Sequence, residues 1–170
     1  MQITDYKFAN LTTRPFLTFK DATSKWILTD DTKHVIDVCM YREPEVIKHL
    51  QSRGITFDWF PTDERPMDLN IVLLAVATLL QYDQDGSHII VHCLHGSNRS
   101  RTIAEAFHFA KLGTHIEDEY KGSTNHLIWN CEQGYLPSLP EMEHLLKDLP
   151  QARLDAAAQY INKLKCSNLI

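Results

Sequence analysis

The stretch that most constrains this chain is Ile89-Ile90-Val91-His92-Cys93-Leu94-His95-Gly96-Ser97-Asn98-Arg99-Ser100: an apolar run, a cysteine, a short loop with one glycine, and an arginine entering a helical pattern. A strand that passes through a loop into a helix turns the loop's backbone N–H groups, and the positive end of the helix dipole, toward one point. That point suits an anion. A thiolate is stabilised in the same field, so Cys93 reads as a nucleophile. Arg99 offers a planar fork of donors that holds two oxygens of a phosphate at once, a geometry lysine does not reproduce. Leu94, His95, Gly96, Ser97 and Asn98 lie between Cys93 and Arg99, enough to curl around one tetrahedral anion. Ser100 places a hydroxyl beside the sulfur, where it helps the thiolate leave a phosphorylated cysteine.

The flanking pattern is that of an α/β protein. Pro15-Phe16-Leu17-Thr18-Phe19 and Trp26-Ile27-Leu28 suggest two strands, and His34 to Cys39 a third. Glu43-Pro44 opens a helix that stops at Gly54, and Ile55 to Phe60 alternates as a strand ended by Pro61. Leu69 to Tyr82 is apolar almost all round, which predicts a buried helix capped by Asp68. Arg101 to Leu112 reads as a helix closed by Gly113; Thr114 to Tyr135 is ambiguous; Ser138 should cap a helix through Leu146. A last amphipathic helix should follow Pro150, with Leu154, Ala157, Ile161 and Leu164 on one face. Strands alternating with helices imply a central, mostly parallel sheet flanked by helices, with ligands at the carboxyl ends of the strands. Cys93 falls at such an end.

A nucleophile that attacks phosphorus also needs a proton donor for the departing oxygen. The loop Phe60-Pro61-Thr62-Asp63-Glu64-Arg65-Pro66 follows a strand expected to neighbour that of Cys93, so it emerges on the same edge. Asp63 is the candidate general acid, with Glu64 the nearest substitute. Asp58 would point from inside its strand. His92 is expected to shape the loop rather than act as a base. His88, His92 and His95 with Cys93 raise the question of zinc, but alternation sends strand neighbours to opposite faces, so no metal site is expected.

His92-Cys93-x5-Arg99-Ser100 resembles the signature of the cysteine-dependent protein tyrosine phosphatase superfamily, and HCLHGSNRS within a short chain is most similar to its dual-specificity branch. The resemblance extends from about His34 to Gly113, and the place of Asp63 is similar to that of the family's general acid. It implies a dual-specificity-phosphatase-like fold and hydrolysis of phosphomonoesters on tyrosine, serine or threonine through a phosphocysteine, without a cofactor. His95 and Asn98 also resemble the loop of RNA 5′-triphosphatases, so an RNA 5′ end is an alternative substrate. Where the family often has glycine, this chain has Arg101, a cation that would bind a second phosphate or face solvent; lipid and polyphosphate substrates therefore stay open. Arg42 and Arg65 are the other rim candidates. Cys39 stands where lipid phosphatases of the superfamily carry a resolving cysteine, which raises a disulfide with Cys93 beside the plainer reading of a buried strand thiol. Two readings of other classes remain: a non-catalytic phosphate-binding module, and a thiol oxidoreductase, for which Cys131 is the downstream candidate.

Composition narrows this further. A chain of 170 residues with 44% hydrophobic residues is expected to form one domain, residues 1–170, with a real core. A net charge of −5 gives no general attraction to nucleic acid or an anionic membrane. The start, MQITDYKFAN, lacks the form of a secretory signal, and the apolar run from Ile71 to Leu80 is too short for a span, so a cytoplasmic location without a membrane partner is expected. Four widely spaced cysteines suggest reduced thiols rather than a disulfide framework. Nothing in the pattern speaks to oligomeric state.

Overall fold

The computed structural model describes residues 6–8, 10–96, 98–116 and 125–149. Its strands are β1 (Tyr6–Phe8), β2 (Leu11–Arg14), β3 (Thr32–Asp37), β4 (Thr56–Trp59) and β5 (His88–His92), joined in one sheet in the order β1-β2-β5-β3-β4. β2, β5, β3 and β4 are mutually parallel, and β1 closes one edge as an antiparallel strand. β5 is central. Its Ile89, Ile90 and Val91 are all buried, as a strand covered on both faces requires.

Period-two alternation divides the core into two layers. Ile36, Ile89 and Val91 face α3 (Leu69–Tyr82), α4 (Arg99–Leu112), α5 (His126–Glu132) and α6 (Leu139–Lys147). Val35, Phe57 and Ile90 face α1 (Phe19–Ala22) and α2 (Pro44–Ser52). The mostly parallel sheet between helical layers is as expected. Asp68 caps α3, its Oδ1 accepting from the amides of Asn70 and Ile71, and Ser138 caps α6. α3 spans the predicted residues, whereas α4 begins at Arg99, two residues before the predicted start. The expected helix after Pro150 lies outside the described residues.

The two strands expected near the N-terminus are corrected. Phe19 starts a short helix because Thr18 and Asp21 form a capping box, each side chain meeting the other's amide. Trp26 to Leu28 lie in a turn, with Trp26 94% exposed. The strand is instead Leu11-Thr12-Thr13-Arg14, where Leu11 and Thr13 are buried and Thr12 and Arg14 half-buried. Of the aspartates set aside, Asp58 is fully buried and accepts the Tyr82 hydroxyl at 2.5 Å.

All four parallel strands deliver their C-terminal loops to one edge: Pro15–Thr18, Val38–Glu43, Phe60–Met67 and the loop after Cys93. α5 is fixed beside this edge by Glu105 of α4, which is 2% exposed. Glu105 Oε2 accepts from the Leu127 amide at 2.9 Å, and Oε1 lies 3.6 Å from His126 Nδ1, so a carboxylate meets the first turn of the helix. Glu105→Ala leaves that amide without its partner and is expected to cost about 1–3 kcal/mol, read by urea unfolding, with Glu105→Gln losing less.

Candidate active site

Cys93 follows β5 directly and is 2% exposed. The loop bends back over it, so that the Gly96 amide points at Sγ from 3.1 Å and the Ser100 hydroxyl stands 3.3 Å away. Gly96 has φ +73°, a conformation other residues rarely adopt, and a Cβ there would stand 2.5 Å from Pro15 N. Loop and β2 exit thus meet backbone to backbone, and the Phe16 amide donates to the Leu94 carbonyl at 3.1 Å. Leu94 and His95 are exposed; Ser97 lies outside the described residues. The amides of the first turn of α4 open toward the loop, since its N-cap, Asn98, makes no side-chain cap bond.

Arg99 is 9% exposed, and its Nη1 donates to the Thr62 carbonyl at 3.0 Å. That contact joins the Cys93 loop to the loop of the candidate acid. Thr62 knots the latter: its amide donates to Val38 O, its hydroxyl donates to Asp63 O, and the Asp68 amide donates to its hydroxyl at 2.7 Å. Asp63, the next residue, is exposed on the same edge.

Two of the predicted cations around the site lean on tryptophans. Arg42 stacks over Trp59 at 4.7 Å and Arg65 over Trp129 at 5.6 Å. Arg101 is buried at 8% exposure, so the reading that it faces solvent does not hold. Residues near the loop give the edge an apolar rim: Phe16 packs on Tyr41 at 5.1 Å, and Met40, Tyr41 and Leu94 are exposed. His88 hydrogen-bonds the Thr12 and Thr32 hydroxyls through its two ring nitrogens. Among the described residues, no three His, Cys, Asp or Glu side chains are grouped to hold a metal. Nor is any helix among them long and apolar enough to cross a membrane.

Cys39 is buried behind the site, its thiol donating to Tyr41 O at 2.9 Å. Burial and the nearby Asp37 push this thiol up to about 12. Cys131 is likewise free and buried, and desolvation raises it to about 11. Neither is poised as a thiolate.

No known family model matches this sequence, and no curated protein is similar to it in sequence. Solved structures are similar in fold. Tk-PTP in its active form is 16% identical, with a TM-score of 0.55 over 88% of this chain and 97% of that one. The core catalytic domain of the PP-IP phosphatase SIW14 from S. cerevisiae is 11% identical, with a TM-score of 0.55 over 94% and 93% of the two chains. PTPMT1 in complex with PI(5)P is 18% identical, with a TM-score of 0.55 over 88% and 96%. The fold is the one these phosphatase structures share.

Two supports of the Cys93 loop include residues that the sequence reading missed, Asn130 and Asp37. Asn130 of α5, fully buried, donates through Nδ2 to Asn98 Oδ1 at 2.9 Å, Thr102 Oγ1 at 3.0 Å and His126 O at 2.7 Å. It holds the loop's last residue from outside the loop. Its neighbours His126 to Glu132 carry helical periodicity too short to stand out. Asn130→Ala is expected to lower affinity for vanadate or sulfate about tenfold, the worth of one buried hydrogen bond, with the melting cooperative; titration calorimetry and thermal unfolding check this.

The second support is a buried pair beneath the loop. Asp37 ends β3 directly opposite His92 in register, both almost wholly inaccessible, with His92 Nδ1 4.0 Å from Asp37 Oδ1. Burial pushes Asp37 up from 3.8 to about 7, against the Cys39 hydrogen bonds and the charges of Arg99 and Arg42. Burial, aided by Arg14, pushes His92 down from 6.5 to about 3. Between about pH 4 and 6.5, therefore, the folded chain carries a proton on Asp37 and none on His92, and the unfolded chain the reverse. Asp37 alone would make stability fall as pH rises from 4 to 7; His92 alone would make it fall as pH drops from 6.5 to 3. In the overlap the two cancel. Asp37→Asn should expose the His92 slope, a loss of roughly 1 kcal/mol per pH unit toward acid relative to wild type. His92→Phe should show the opposite slope, and urea midpoints at about pH 5 and 7 distinguish the two.

Proposed function

We propose that this chain is a phosphatase that hydrolyses phosphomonoesters of tyrosine, serine or threonine in proteins, through a phosphocysteine. The observation that carries this reading is the inward turn of the Gly96 amide onto Cys93 Sγ at 3.1 Å, in a loop that opens on the N-terminus of α4. A thiolate and a phosphate's equatorial oxygens ask for the same inward-facing donors. The substrate phosphate sits in the loop, held by the amides and by Arg99 once its guanidinium turns from the Thr62 carbonyl. Cys93 Sγ attacks phosphorus in line, the P–O bond to the leaving group breaks, and Asp63 gives that oxygen its proton. Water then attacks the phosphocysteine, giving its proton to Asp63, and the sulfur leaves as a thiolate assisted by the Ser100 hydroxyl.

Among substrates, the loop favours those of modest charge. SIW14 is a PP-IP phosphatase and PTPMT1 has been seen with PI(5)P, so the fold accommodates polyphosphorylated ligands in those proteins. Here Arg99 is the sole lysine or arginine from Cys93 to Ser100, and Arg42 and Arg65 lean on tryptophans. The apolar rim of Phe16, Tyr41 and Leu94 suits the side chain of a phosphorylated peptide. The exposed His95, in a loop sequence that also carries Asn98, keeps the RNA 5′-triphosphate as the second reading.

Phosphate release from an aryl phosphate, phosphopeptides, a phosphoinositide and a 5′-triphosphorylated RNA, side by side, tests the proposal. Turnover of aryl phosphate and peptides is expected, abolished by Cys93→Ser and slowed about 10²–10⁴-fold by Asp63→Asn. Preference for the RNA would move the reading to a triphosphatase. Bound vanadate without turnover of any substrate would make the chain a phosphate-binding module.

A further inference from the structure

Asp37 is placed to do more than finish a strand. Its Oδ1 accepts the Cys39 amide at 2.9 Å, while Oδ2 is buried and has no hydrogen-bond partner. Across from it the buried His92 stands with Nδ1 4.0 Å from Asp37 Oδ1, too far for a hydrogen bond, and has the Cys93 backbone against its ring. A fully buried carboxylate with half its acceptors unused is costly unless it is neutral or its charge is answered nearby. The backbone holds it close under the loop: the Val38 amide donates to the His92 carbonyl, and Cys93 is the next residue. The charged and titratable groups that face it are His92 from β5, Arg99 from α4, and Arg42 and the Cys39 thiol from the loop after β3.

We infer that Asp37 is a positioning residue that adjusts the loop's affinity for anions: its carboxylate takes up one proton from solvent when a dianion enters the loop. The inference rests on the phosphate-binding reading of that loop. Ionised, Asp37 opposes a second negative charge on the far side of Arg99 and Cys93 and competes with it for the Arg99 guanidinium. Protonated, it leaves that guanidinium to the ligand. Burial, which pushes Asp37 up to about 7, puts this exchange in a range where it matters. Neutral His92, facing Asp37 across the sheet, can serve as acceptor for the proton that Asp37 then carries. The carboxylate is thus a brake on phosphate binding that loosens in mild acid and tightens in mild alkali.

The test uses the full chain with Cys93→Ser, so that no thiolate titrates in the loop, and sulfate as probe, because its charge is constant near neutrality. Sulfate affinity is measured by calorimetry from about pH 6 to 8.5, in buffers of different ionisation enthalpy, with and without Asp37→Asn. A one-unit rise of the Asp37 midpoint on binding weakens sulfate about tenfold across that range, with proton uptake near pH 7.5, and Asp37→Asn flattens the profile and abolishes the uptake. Equal pH profiles in the two proteins would overturn the inference and leave the phosphate site standing. Absence of sulfate and phosphate binding at every pH would overturn both. A ¹³C resonance of the Asp37 carboxyl in the Cys93→Ser protein, titrated with and without saturating sulfate, decides the matter independently of how Asp37→Asn folds: an upward shift supports the inference, and an unmoved midpoint sinks it.

Discussion

The contact on which the candidate site depends is one of backbone against backbone, where Gly96 meets the Arg14–Pro15 peptide so closely that a methyl group has no room. Only with the loop pressed there does the Gly96 amide turn inward to the sulfur, and only with β2 beside β5 is that surface present. The sheet order, with β2 and β3 on either side of β5, therefore serves the loop before it serves stability. β1 is an addition that covers the outer edge of β2.

Several arginines at this edge have other partners, tryptophans for Arg42 and Arg65 and Asp21 for Arg14, and dipoles face the loop. Backbone amides and the start of α4 supply the field for an anion, with Arg99 as the guanidinium in the loop. Such donors are oriented in advance and need no rearrangement to meet developing charge. Behind them the interior is not neutral ground. Asp37 and His92 are buried side by side and, between about pH 4 and 6.5, exchange the protonation states they have in the unfolded chain.

The sequence was most legible where a single physical signal dominated. Ile89-Ile90-Val91 needed cover on both faces, α3 was apolar all round, and the caps Asp68 and Ser138 marked their helices by type and spacing. Cys93, Gly96, Arg99 and Ser100 announced their loop because local chain geometry alone brings them together. The N-terminal strands were misplaced because β2 is short and polar, and its Leu11 and Thr13 take their burial from partners near residue 89. Asn130, Thr62 and Asp37 were invisible for a related reason. Each is an ordinary polar residue whose importance comes from a partner distant along the chain, and no local period records such a pairing.

Those long-range ties bear on the order in which the molecule assembles. The loop is fastened to Phe16 at one end of the chain, to Thr62 in the middle and to Asn130 near the other, with Arg99 and Thr62 37 residues apart and Asn98 and Asn130 32. Contacts of such separation form late, after local helices and the central strands have condensed. A nascent chain emerging from the ribosome could therefore complete β5 and expose its cysteine well before α5 exists to hold Asn98. Until that moment the thiol belongs to a half-built pocket, and the loop is completed as one of the last events of folding.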